Sequence, residues 1–144
     1  MKLKLVLLAS VFALGFAFTA NAGTVNDTDG DLVPDQFDNC LTDANGPNEG
    51  SNQIDTDSDG FGNACDTDYD NNGNTTTADF GVFFPAFTGS APDLNTDHDG
   101  NGSTTTADFG VFFADFAAAP IAPGPSGLAC ADPVNPALGV PCVP

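Results

Sequence analysis

The apolar positions of this chain form one unbroken run and two helical stripes, with a long polar stretch between them. The stripes are Phe80, Phe83, Phe84 and Phe87, then Phe109, Phe112, Phe113 and Phe116. Spacing of i, i+3, i+4 and i+7 places four rings on one face of a helix. Thr76 and Thr105 each precede an Asp three residues later, the arrangement of an N-terminal helix cap. Pro85 is expected to end or kink the first helix near Phe84, whereas Ala114 leaves the second uninterrupted. From Asp27 to Asp66 there is almost no periodic apolar face, and Phe37 and Phe61 are the only aromatics. The pattern predicts mostly irregular loops plus a small α component: two short loop-helix units, with little or no β-sheet.

The two stripes belong to an internal duplication. Asp68 to Phe87 aligns with Asp97 to Phe116 at an offset of 29, with 15 of 20 positions identical. The stripes hold eight of the ten Phe that follow the apolar run. Two readings apply to them: packing against each other as the core, or an exposed aromatic face for a partner.

The unbroken run, Leu5 to Phe18, follows Lys2 and Lys4 and precedes Ala20-Asn21-Ala22. Basic, apolar and small-residue parts in that order form a secretory signal, with cleavage expected after Ala22. At about 14 residues the run is short of the roughly 20 needed to span a membrane. No second apolar stretch follows, so no membrane span is expected in the mature chain, which is placed outside the cell or at its surface. The four cysteines are then expected to form two disulfides. Four allow three pairings, and sequence order favours Cys40–Cys65 and Cys130–Cys142.

Charge sharpens the picture. The chain has 20 acidic residues and two basic ones, and both lysines lie in the leader. A mature chain of that composition repels itself unless a cation neutralises it. The acids recur at every second position in short runs, which is how oxygen ligands are arrayed around calcium. An EF-hand-type loop uses positions 1, 3, 5, 7 (through its carbonyl), 9 and 12, with Gly at 6. Asp55, Asp57, Asp59 and Asp66 take positions 1, 3, 5 and 12, with Gly60 at 6 and Asn63 at 9. Asp68, Asp70, Asn72, Asn74 and Asp79 take positions 1, 3, 5, 7 and 12, with Gly73 at 6. Asp97, Asp99, Asn101, Ser103 and Asp108 repeat that set, with Gly102 at 6. A fourth stretch is less regular: Asp27, Asp29, Asp31, Asp35 and Asp38 take 1, 3, 5, 9 and 12, but position 6 is Leu32, whose β-carbon resists the left-handed turn. Three to four calcium ions (Ca2+) are expected, and without them a largely disordered chain.

Two family resemblances follow from these motifs. Asp27-Thr-Asp-Gly-Asp-Leu-Val-Pro-Asp-Gln-Phe-Asp-Asn-Cys40, continued by Asn52 to Asp66, resembles a thrombospondin type 3 repeat. The resemblance implies chain wrapped around calcium and a bond from Cys40 to Cys65. The duplicated segment is similar to a dockerin of type I, which implies two calcium loop-helix units related by a pseudo-two-fold. It also implies a partner surface, for a cohesin-like protein, at Thr77, Ala78, Thr106 and Ala107, with Phe84 and Phe113 in the same region. The expected organisation is a signal peptide at 1–22, a thrombospondin type 3-like repeat at 23–66, a dockerin-like tandem at 67–117 and a Pro/Gly/Ala-rich tail at 118–144. That tail is expected to be extended and poorly ordered, apart from whatever the Cys130–Cys142 pair closes.

The function classes narrow accordingly. Catalysis has little support: His98, the only histidine, falls at position 2 of a loop, where a solvated side chain is expected. Glu49 is the only Glu, and the aspartates are committed as ligands. Nucleic acid would meet a surface of its own sign. The leading expectation is a secreted calcium-binding structural module in extracellular adhesion or assembly. The alternatives are a free-standing dockerin on a cohesin scaffold and a calcium buffer without a partner.

Overall fold

The computed structural model describes residues 25–118 and 123–131. The expected signal peptide and Cys142, one end of the second expected disulfide, lie outside the described residues. Helix α1 spans Thr77–Phe87 and helix α2 spans Thr106–Ala118, with short 3-10 turns at Asp35–Phe37 and Leu94–Thr96. No strand occurs among the described residues, and the rest is loop.

Both helices start as their sequences predict. The Ala78 N–H donates to Thr76 Oγ1 at 3.1 Å while the Thr76 N–H donates to Asp79 Oδ2 at 2.7 Å, a reciprocal cap. Thr105 and Asp108 repeat it at 3.2 and 2.7 Å. The expected end of the helix near Phe84 does not occur: α1 continues through Pro85 to Phe87. Only two helical residues follow the proline, and the Thr88 and Ser90 N–H groups satisfy the Phe84 and Pro85 carbonyls at 3.0 and 2.9 Å.

The helices meet through rings. Phe83 and Phe112 are fully buried and stack with centroids 4.9 Å apart. Tyr69 lies against both, at 6.5 and 5.9 Å. The remaining contacts are reciprocal under exchange of residues 29 apart. Phe83–Phe109 at 6.0 Å is matched by Phe80–Phe112 at 6.0 Å, and Phe87–Phe109 at 6.0 Å by Phe80–Phe116 at 6.4 Å. Such self-matching contacts are the mark of an isologous interface, here within one chain. The stripes therefore do pack on each other, but Phe84 and Phe113 stay 51% and 55% exposed.

The region before the helices has a different interior. Cys40 and Cys65 are bonded and buried, Phe61 packs inside, and Phe37 is exposed. Around them buried amides do the work of a core. Gln53 Nε2 donates to Asp38 Oδ1 (2.9 Å) and Asn45 Oδ1 (2.6 Å), and Asn45 Nδ2 donates to Asn39 Oδ1 (2.7 Å). Buried polar groups stay stable only when so satisfied.

No exposed linker separates the two regions, since Asp66, Thr67 and Asp68 are all buried. Asn63 Nδ2 donates to the Leu94 carbonyl at 2.7 Å, and Thr67 Oγ1 to Asp115 Oδ2 at 3.1 Å. Gly100, at φ +68°, lies so close to Gly50 that a β-carbon there would sit 2.3 Å from its carbonyl. The tail also departs from expectation. Its described residues, 123–131, return to the first region, with the Leu41 N–H donating to the Pro125 carbonyl at 2.8 Å.

Candidate metal centres

Four acidic loops follow one backbone path: loop I (27–38), loop II (55–66), loop III (68–79) and loop IV (97–108). Their fourth residues, Gly30, Ser58, Asn71 and Gly100, have φ of +80°, +64°, +55° and +68°. Their sixth residues, Leu32, Gly60, Gly73 and Gly102, have φ of +81°, +99°, +90° and +88°. In each loop the first Asp accepts the N–H of the sixth residue, at 3.2, 3.0, 2.6 and 2.7 Å in order. Leu32 therefore makes the turn its β-carbon disfavours, with its side chain 66% exposed. The loop's hydrogen bonds outweigh a local strain of about 1–2 kcal/mol.

The carboxylates converge differently in the two pairs of loops. Asp27, Asp29 and Asp31 (loop I) and Asp55, Asp57 and Asp59 (loop II) bring ligand atoms within 4.8 Å of one another. In loops III and IV the groups are Asp68, Asp70, Asp79 and Asp97, Asp99, Asp108, so position 12 joins. Asp35 stands outside these groups, accepting from the Thr28 N–H and Oγ1 at 2.7 and 2.9 Å. The Asn63 amide is bonded to Thr56, accepting its N–H at 2.9 Å and donating to its Oγ1 at 2.8 Å. Asn72 Nδ2 donates to Asp70, and the Asn101 N–H to Asp97 and Asp99. Asn74 and Ser103 are exposed, as are Thr77, Ala78, Thr106 and Ala107 at the helix starts.

Position 12 explains the split. Asp79 and Asp108 are the third residues of helices. Asp108 Oδ2 accepts from the Thr105 N–H and Oγ1, and its Oδ1 from the His98 and Asp99 N–H groups. Burial pushes the Asp108 carboxyl up, but these bonds outweigh it and hold the group below the ordinary carboxylate range. Asp38 and Asp66 have no helix. Each gives Oδ1 to the N–H two residues on, Cys40 or Asp68, at 2.9 Å.

Their other oxygens are orphaned. Asp29 Oδ2 and Asp38 Oδ2 in loop I, and Asp59 Oδ2 and Asp66 Oδ2 in loop II, are buried without any hydrogen-bond partner. Outside these loops the only such side-chain atom among the described residues is Asn71 Oδ1. A buried carboxylate oxygen facing nothing is costly, and a cation is the partner that suits a group of them. Burial, then the neighbouring Asp57 and Asp55, push Asp59 up to about 7. Burial and Asp59 push Asp66 well above its ordinary value. Asp29 and Asp38 are raised too, by burial first and then by other loop I carboxylates. The donor set is all hard oxygen, which fits calcium and not a soft metal.

His98 is buried, not solvated as its loop position suggests. Its Nδ1 meets the Asn63 carbonyl, which only accepts, so Nδ1 carries the proton. Nε2 is then the acceptor for the Tyr69 hydroxyl at 2.9 Å. Burial lowers the His98 pKa, in keeping with this neutral tautomer. Tyr69 and His98 are equivalent residues of the duplication, so its two halves touch here, and His98 also meets loop II at Asn63. Both ring nitrogens are thus held by partners inside the protein.

Sequence reasoning missed the Gln53, Asn39 and Asn45 network, the Tyr69–His98 pair and the returning tail. The first two carry polar side chains, but no spacing tells a buried amide from a solvated one.

Residues 25–47 and 54–80 match the family model described as thrombospondin type 3 repeat. The second stretch runs past Asp66, across loop III and into α1. No curated protein and no solved structure matches the chain.

Proposed function

We propose that these repeats make the chain a secreted calcium-binding structural module, folded by its ions and acting in extracellular adhesion or assembly. The observation that carries the reading is the set of four buried, unpartnered carboxylate oxygens on Asp29, Asp38, Asp59 and Asp66. Bound calcium would supply the positive charge that turns mutual repulsion into shared ligation. Asp27, Asp29, Asp31 and Asp38 would hold one ion, and Asp55, Asp57, Asp59 and Asp66 a second. Asp68, Asp70, Asn72 and Asp79 would hold a third, and Asp97, Asp99, Asn101 and Asp108 a fourth. The buried disulfide Cys40–Cys65 suits an oxidising compartment. Among the described residues no helix is long and apolar enough to cross a membrane.

Calorimetric titration with calcium, followed in parallel by circular dichroism, tests this. Binding of three or four ions with gain of ordered structure is the expected result. No heat of binding below about 10 mM, beyond the about 10⁻⁴–10⁻³ M typical of extracellular modules, would overturn it.

A second reading concerns the duplicated segment: docking of a dockerin-like tandem onto a cohesin-like protein. It is favoured by the exposed Phe84 and Phe113 beside the exposed Thr77, Ala78, Thr106 and Ala107. Its test is calcium-dependent binding to a purified cohesin, lost in the Phe84→Ser/Phe113→Ser double variant. If wild type does not bind, the docking reading fails and the calcium reading stands.

A further inference from the structure

Loops III and IV fix their position-12 aspartates by building them into helices. Loops I and II have no α-helix there, only the 3-10 turn Asp35–Phe37 before Asp38, yet Asp38 and Asp66 are 1% exposed. The Cys40–Cys65 disulfide ties the two loop ends to each other, and the returning tail lies against both. The Gly127 N–H donates to the Asp38 carbonyl at 2.9 Å, and the Gly124 N–H to the carbonyl of Cys65, next to Asp66, at 3.1 Å. The Leu41 N–H donates to Pro125 between them. One short segment therefore bonds to the ends of both loops that lack an α-helix.

The approach is close enough to demand glycine twice. A β-carbon on Gly127 would lie 1.7 Å from the Asp35 carbonyl oxygen, which is backbone and cannot turn away. Gly124 has φ +89°, and a β-carbon there would lie 2.7 Å from the Phe61 ring. Phe61 follows the sixth residue of loop II, donates its N–H to Asp59 Oδ1 at 2.8 Å, and is 2% exposed. The tail thus also packs against the residue whose N–H holds Asp59.

We propose that residues 123–131 form a strap that positions Asp38, Asp59 and Asp66 for cation binding, taking in loops I and II the part that α1 and α2 take in loops III and IV. The strap residues are positioning residues and hold no ion themselves. The inference rests on the calcium reading above. Groups that orient metal ligands typically contribute about 10–100-fold in affinity, and the strap's effect is confined to two loops of four.

The test is the full mature chain carrying Gly124→Val and Gly127→Val, which dislodges the strap without shortening the protein. The amides of Leu32, Gly60, Gly73 and Gly102 each report one loop in a calcium titration followed by nitrogen-15 NMR. In the variant the calcium midpoints at Leu32 and Gly60 are expected to rise about 10–100-fold, with those at Gly73 and Gly102 unchanged. Gly110→Ala, on open helix surface, is the control and should leave all four unchanged. Unchanged midpoints at all four loops overturn the strap and leave the calcium reading standing. An equal shift at all four also overturns it, because general destabilisation would then be the cause. No calcium response in wild type removes both readings. Should the variant not fold, hydrogen exchange on wild type in calcium decides. Protected Leu41, Gly124 and Gly127 amides support the strap, and exchange at free-peptide rates overturns it.

Discussion

Loops I and II run the same course as loops III and IV but finish it differently, and the finish decides what each needs from a cation. In loops III and IV the last aspartate is also a helix cap, so its oxygens are satisfied by the protein itself. In loops I and II the last aspartate keeps one oxygen bare, as does Asp29 in one and Asp59 in the other. An identical ligand spacing can thus end in a carboxylate satisfied by the protein or in one with a bare oxygen. The interiors differ in the same sense. The helical region buries Phe83, Phe112 and Tyr69, whereas the first region buries Phe61, a disulfide and hydrogen-bonded amides.

Calcium removal should separate the regions most. In excess EDTA the Leu32 and Gly60 amides are expected to move to unfolded positions in NMR spectra, while part of the helical circular dichroism persists through the stacked rings. Loss of all four loop signals together, with the helix signal, would erase the distinction.

Acidity is the next lever. Without calcium, Asp59 at about 7 and Asp68 at about 6 keep protons that an unfolded chain gives up near 3.8. Burial is the first cause for both. The folded state then binds more protons between about pH 4 and 7, so stability of the calcium-free chain falls as pH rises through that window. Calcium affinity moves the opposite way, weakening as pH drops below about 7, because protons and calcium compete for the same oxygens. Urea denaturation in EDTA and calcium titrations, each at pH 5, 6 and 8, check the two signs.

Single substitutions sharpen the contrast at position 12. Asp66→Asn keeps an acceptor for the Asp68 N–H but removes a buried charge. It is expected to raise calcium-free stability and weaken calcium binding at loop II by at least about 10-fold. Asp108→Ala strips its cap and leaves buried donors bare, so it should lower stability with or without calcium by about 1–3 kcal/mol. Thermal unfolding of both variants, with calcium and with EDTA, reads out the opposite signs. The smallest effect belongs to Leu32→Gly, which relieves the strained turn of loop I. A gain of about 0.5–1 kcal/mol should appear as a tighter calcium midpoint at that loop alone.

Much of this was legible beforehand because it is written in local spacing. Alternate acids followed by glycine predict a loop whose sixth residue is left-handed, and the loops have it. Thr76 with Asp79 predicts a cap, and four Phe at helical spacing predict a helix. Leu32 and Pro85 show the limit of such rules. Each violates a local preference, and each is overruled by hydrogen bonds that close around it.

The sequence by itself determined the composition of the loops, the duplication and the helices, since each depends on residues close in the chain or on a repeated motif, and it favoured the Cys40–Cys65 pairing without fixing it. Only the tertiary structure decided that His98 would be buried against Tyr69 and Asn63, that Gln53 would join Asp38 to Asn45, and that residues 123–131 would fold back onto loops I and II. Those contacts join residues 8 to 89 positions apart. Pairings at that range depend on how whole segments pack, and no periodicity along the chain encodes them.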